Sequence, residues 1–123
     1  MSYNYCDIYL SHLDKAILKK VRIPNSFYHN AKGLLGEKHL KEDTGMLFKK
    51  CSSIHMIGMK MPLDILFLAK DGTVLKCVNN LQPWKIAACF KASTTLELAS
   101  GSIKKLGLIV GTKLEIKECK SQE

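Results

Sequence analysis

The chain has 123 residues, 46% of them hydrophobic and 24% charged, which is enough apolar content for one core over residues 1–123 and argues against disorder. No apolar run approaches the roughly 18–20 residues that cross a bilayer, and Met1 to Asp7 has no basic stretch leading into an apolar one. A soluble, cytoplasmic protein without membrane insertion is therefore expected. The net charge of +8 permits attraction to nucleic acid, but the lysines are scattered as Lys19-Lys20, Lys49-Lys50 and Lys104-Lys105 without a recognition helix or Arg-rich arm, so nucleic acid is not an expected partner.

In chain order, Asp7 to Leu10 and Lys19 to Ile23 read as short strands around a polar turn. Val21 and Ile23 alternate with Lys20 and Arg22, the period of a half-buried strand. Pro24-Asn25-Ser26 then breaks the chain and caps a helix over about 27–35, where Phe27, Ala31, Leu34 and Leu35 recur at helical spacing and Gly36 supplies a left-handed stop. Met46 to Phe48 reads as a buried strand. Ser53 to Met61 and Leu63 to Ala69 follow as strands joined at Pro62. Asp71-Gly72 predicts a hairpin with a type I′ turn, returning through Val74 to Val78. Leu81 to Pro83 begins a loop, and Ile86 to Phe90 fits neither period. Thr94 to Leu98 is a strand, Ile103 to Leu106 a helical turn capped by Ser102, and Leu114 to Lys117 the last strand. Many short strands with one short helix predict a mainly β (α+β) fold, a small curled or partly closed antiparallel barrel.

Five cysteines (Cys6, Cys51, Cys77, Cys89 and Cys119) form an odd set with no Cys-x-x-Cys pair, which favours free thiols filling core positions. The four histidines show no metal-ligand spacing. Met56, Met59 and Met61 with His55 suit a soft monovalent ion, yet strand alternation separates Met56 from the other two. Gly33 to Gly36 lacks the lysine and hydroxyl of a phosphate loop. No metal or cofactor is expected.

Several motifs occur in a fixed order: Asn30 to Gly36, Gly45 to Phe48, Ile54-His55 through Gly58-Met59 to Pro62-Leu63-Asp64 and Phe67, Asp71 to Val74, Gln82-Pro83-Trp84, Leu96 to Gly101, and Gly107-Leu108 to Gly111. Over residues 19–117 this order resembles the prokaryotic family called domain of unknown function 192. The resemblance implies a compact β-rich domain with no accepted enzymatic activity. Its family context is pilus assembly or secretion, and the expected partner is an unknown protein or small ligand. The chain departs from that pattern at Asn30 and Glu37, where the family has arginine nearby, and at Thr112, where it tends to have aspartate.

The candidate surface centres on Pro62. If Ser53 to Met61 is one strand, His55, Ile57, Met59 and Met61 face the core, while Lys60 points away and Asp64 follows the bend. A proline there removes a ladder hydrogen bond and opens the sheet beside an ionisable pair; an ordinary exposed pair is the plainer reading. Trp84 either anchors a partner or plugs a barrel end. Glu97, between Leu96 and Leu98, is expected to face outward, unless a fold of the edge brings it to Asp64 as a second carboxylate. The expected function is a non-enzymatic binding or accessory domain using His55, Lys60, Asp64, Trp84 and Glu97. The alternatives are a hydrolase-like or acid–base enzyme built on His55 with Asp64 or Cys51, and an electrostatic nucleic-acid binder.

Overall fold

Strands dominate because short β-branched and apolar runs are punctuated by Gly, Pro and Asp turns at close intervals. The computed structural model describes residues 3–24 and 34–119. Nine strands are present among them: β1 (Tyr3–Leu10), β2 (Ala16–Pro24), β3 (Gly45–Lys49), β4 (Ser53–His55), β5 (Leu63–Leu68), β6 (Val74–Leu81), β7 (Ile86–Ala88), β8 (Thr94–Ala99) and β9 (Leu114–Cys119). A single short helix, α1 (Ser102–Leu106), lies between β8 and β9. Seven strands form one sheet in the order β6-β5-β8-β3-β2-β1-β9, and β4 with β7 forms a separate two-stranded ribbon. The pairings are antiparallel except β2 with β3. The expected helix over 27–35 falls mostly on 25–33, outside the described residues; its end, Leu34 to Gly36, is a turn.

The large sheet is curled but does not close into a barrel. Its edge strands, β6 and β9, meet at one corner through a Thr73–Lys113 bridge, with Leu114 donating to the Gly72 carbonyl at 3.0 Å. Gly72 is needed here, because a Cβ on it would lie 2.1 Å from the Leu114 carbonyl oxygen. The Asp71-Gly72 hairpin forms as expected, with a different turn. Only Gly72 has positive φ, whereas type I′ needs two such residues. Gly72 N–H instead reaches the Ala69 carbonyl, closing a three-residue loop, and the Asp71 carboxylate holds the Thr73 amide.

Both faces of the central strands are covered. Leu47, Leu66, Leu68, Leu96 and Leu98 belong to one apolar cluster, together with Cys6, Val21 and Ile103. Met46, Phe48, Leu63, Ile65 and Phe67 belong to a second, roofed by Met56 of the segment after β4 and Ala87 of β7. All six residues of β5 are buried, the pattern of a strand covered on both sides. The cysteines are free thiols. Cys6 is fully buried, and burial, reinforced by the charges of Cys119, Glu118 and Asp7, pushes its thiol pKa up to about 12.

Candidate functional site

The segment before Pro62 is not one strand. β4 stops at His55, and a turn follows in which Met59 N–H donates to the Met56 carbonyl and Gly58 takes φ +78. The expected alternation therefore fails: Met56 is buried, Ile57 is exposed, and His55 faces solvent. A glycine-permitted turn resets the facing of every later side chain, which a period-2 reading cannot anticipate. The change of chain direction begins at this turn rather than at Pro62.

Asp64 is fully buried. One carboxylate oxygen accepts the Asn80 amide at 2.8 Å; the other accepts Gly101 N–H at 3.0 Å and Ile103 N–H at 2.9 Å. It thus caps α1 from a neighbouring strand and supplies the acceptor that the first-turn amides lack. The cap expected of Ser102 does not form: Gly101 occupies the N-cap with no side-chain cap bond, and Ser102 Oγ is buried without a partner among the described residues. Lys60 is exposed and takes part in no ion pair among the described residues.

Glu97 is not outward-facing. It is 7% exposed, and strand alternation sets it opposite Leu96 and Leu98, on the face of the second cluster. Its place between Leu96 and Leu98 suggests an outward side chain, but on a strand covered on both faces alternation selects between two interiors. Burial alone pushes its carboxyl pKa up to about 8. Asp64 pairs with Leu98 and Ile65 with Glu97 across the β5–β8 ladder, so the two acids project to opposite faces and form no carboxylate pair.

His55 sits on the ribbon, on the second-cluster side of the sheet, and its Nδ1 accepts the Ile57 amide at 3.4 Å. The Cys51 thiol donates to the Ser53 carbonyl. Neither Cys51 nor Asp64 hydrogen-bonds to His55, so the nucleophile–base contact that an acid–base enzyme needs does not form around this imidazole. No group of three or more His, Cys, Asp or Glu side chains able to hold a metal occurs among the described residues.

Trp84 is brought to the turn after β4. Its backbone N–H donates to the Met56 carbonyl at 2.7 Å, and Met56 N–H donates to the Lys85 carbonyl at 2.7 Å. The β5–β6 register explains the meeting: Leu63 pairs with Leu81, which carries Gln82 to Trp84 alongside Pro62. Trp84 holds φ +73 and is 67% exposed, so it is no plug. Ile86, directly opposite His55, is also exposed, as is Ile57. Three exposed apolar residues, Ile57, Trp84 and Ile86, thus lie on the ribbon and the segments that continue its strands, which also carry the exposed Lys60 and Lys85. Ile57 is thus a surface residue and not the core residue its strand-like run suggests, and Ile86, in a segment whose sequence fits neither period, is one as well.

The arrangement is that of a small curled β domain without an assembled catalytic centre around its predicted residues. The family model described as DUF192, Uncharacterized ACR, matches residues 10–116, and the chain belongs to this family. No curated protein matches it. Among solved structures it is similar to one from Sinorhizobium meliloti 1021 described as a candidate transcription regulator. That match has 25% identity and a TM-score of 0.75, and covers 94% of this chain and 96% of the other. A protein of unknown function from Novosphingobium aromaticivorans DSM 12444 shares the fold at 23% identity and a TM-score of 0.73, covering 92% and 84%.

Proposed function

We propose that the protein is a binding domain whose β4–β7 ribbon takes an extended, acidic segment of a partner protein. The observation that carries this reading is the 2.7 Å bond from Trp84 N–H to the Met56 carbonyl. This backbone bond holds the Trp84 main chain against the turn after β4, so a largely exposed indole projects beside the ribbon, where a large rigid side chain anchors a partner at little entropic cost. The ribbon adds a second means of recognition. Each of its strands pairs only with the other among the described residues; Lys76 of β6 takes the outward Ala88 carbonyl of β7, so β4 is the edge to which an extended chain can add. Ile57 and Ile86 supply apolar contact, and Lys60 and Lys85 supply the charge that selects an acidic segment. Asp64 and Glu97 lie beneath the surface and take no part in it. A regulatory role exercised through such contacts fits the description of the Sinorhizobium relative.

Trp84 is the one tryptophan of the chain, so its fluorescence reports on this surface directly. Selection from a displayed peptide library should enrich sequences that alternate apolar and acidic residues. These should shift Trp84 emission and lose binding to Ile86→Asp. Failure to enrich above a Trp84→Ala control, or selected peptides that bind the variants equally, would overturn the reading.

A further inference from the structure

Three of the lysines, Lys19, Lys20 and Lys41, come together around one cleft. Between β1 and β2, Ile8 pairs with Leu18 and Cys6 with Val21, so Lys19 and Lys20 together stand opposite Asp7 in a β-bulge. Lys20 takes φ +52, a conformation a lysine rarely adopts, with its amide held by the Asp7 carboxylate at 3.0 Å. Bulges of this kind re-aim side chains beside functional sites. The chain near 37–44 is tied over this point: Lys19 N–H donates to the Asp43 carbonyl, the Thr44 hydroxyl to the Lys20 carbonyl, and Arg22 to both oxygens of Glu37 at 2.9 and 3.0 Å. The result is a cleft of about 550 Å³ whose lining includes Tyr5, Lys19, Lys20, Arg22, His39 and Lys41. Four cationic side chains there face two carboxylates, Glu37 and Asp43. Glu37 is engaged by Arg22, while Lys19, Lys20 and Lys41 have no ion-pair partner among the described residues.

Tyr5 forms one wall and is exposed. Cys6 and Ile8 of β1 enter the first cluster, so Tyr3, Tyr5, Asp7 and Tyr9 share the opposite face. Arg22 lies over the Tyr3 ring and Lys117 over the Tyr9 ring. A flat ring beside unpaired ammonium groups in a walled cleft suits a ligand that combines an aromatic plane with phosphate. We infer that this cleft binds a nucleotide unit, its base stacked on Tyr5 and its phosphate held by Lys19, Lys20 and Lys41. The site is independent of the ribbon surface. The same chemistry occurs in free nucleotides and in single strands, whose bases are open to stacking.

The test is fluorescence anisotropy with labelled single-stranded RNA and DNA oligomers, with duplex, mononucleotides, inorganic phosphate and heparin as competitors. Single strands should bind with a shallow log–log salt slope, about −0.7 for the one phosphate that the three lysines hold. Tyr5→Ala should weaken binding at least about tenfold and Tyr5→Phe hardly at all. Lys19→Gln/Lys41→Gln should flatten the salt slope, with thermal melts confirming folded variants. Displacement by mononucleotides at comparable concentration supports the site and makes a free nucleotide its ligand. Three results would each overturn the inference: no binding, binding indifferent to Tyr5→Ala, or competition by heparin and duplex as effective as by single strands.

Discussion

The carboxylate of Asp64 accepts the backbone N–H of Ile103 at 2.9 Å, 39 positions further along the chain, and so joins β5 to the first turn of α1. With Asn80 and Gly101 it completes a three-donor set inside the protein. Asp64→Ala strands three amides and should cost about 4 kcal/mol; Asp64→Asn, which keeps only acceptor capacity on one side, about 2 kcal/mol. Urea unfolding monitored by circular dichroism measures both. A loss under about 1 kcal/mol for the alanine variant would remove the structural role and return Asp64 to the list of functional candidates.

Glu97 should make stability depend on pH. Its carboxyl is raised from about 4.5 to about 8 by burial, so the folded state holds a proton that the unfolded state releases between those values. Stability is therefore greatest below pH 4.5 as far as this group is concerned, declines as pH rises toward 8, and levels off beyond it. The total change is of order 5 kcal/mol. Glu97→Gln removes the ionisable group, so urea midpoints at pH 5.5, 7 and 8.5 should lose most of their slope and the variant should be more stable than wild type at pH 8.5. Equal slopes in the two proteins would refute the assignment.

The corner where β6 and β9 meet depends on one absent side chain. Gly72→Ala places a Cβ 2.1 Å from the Leu114 carbonyl oxygen at a residue with φ +91. A destabilisation above about 2 kcal/mol is expected. Amide exchange should localise the damage, with Val74 and Leu114 losing protection before the β5–β8 ladder does. Unchanged protection at those two amides would show the corner contact to be dispensable.

Trp84→Ala should leave stability within about 0.5 kcal/mol of wild type, because most of the indole contacts solvent and its backbone bond to Met56 survives the change. Thermal denaturation decides this point. A large fall in midpoint would mean that the indole works as a packing element and would weaken the proposed ribbon surface.

Much of the fold was legible because its punctuation was local. Asp71-Gly72 marks the β5–β6 hairpin, and the apolar runs of β3, β5 and β8 announce buried strands. Glu97 and Asp64 were visible as candidates, yet their roles were not. Alternation says which residues share a face, and only the layers above and below the sheet decide whether a face is wet. The turn at Gly58 defeated the reading of Ser53 to Met61, because one residue with positive φ shifts every later side chain. The meeting of Trp84 with Met56 follows from the Leu63–Leu81 register, a long-range pairing that no local pattern encodes. The basic cleft was hidden for a related reason: a bulge and a distant loop assemble it from lysines that are far apart in sequence.

Cys6 gives the molecule an internal clock. Its thiol is sealed in the first cluster and held protonated, whereas Cys119, on the strand paired with β1, is exposed. Thiolates rather than thiols react with electrophiles, so alkylation in native buffer should mark Cys119 promptly. Cys6 should be modified only when β1 separates from its neighbours. Mass-resolved labelling of that one sulfur would then record how often the sheet comes apart, with no denaturant and no engineered probe.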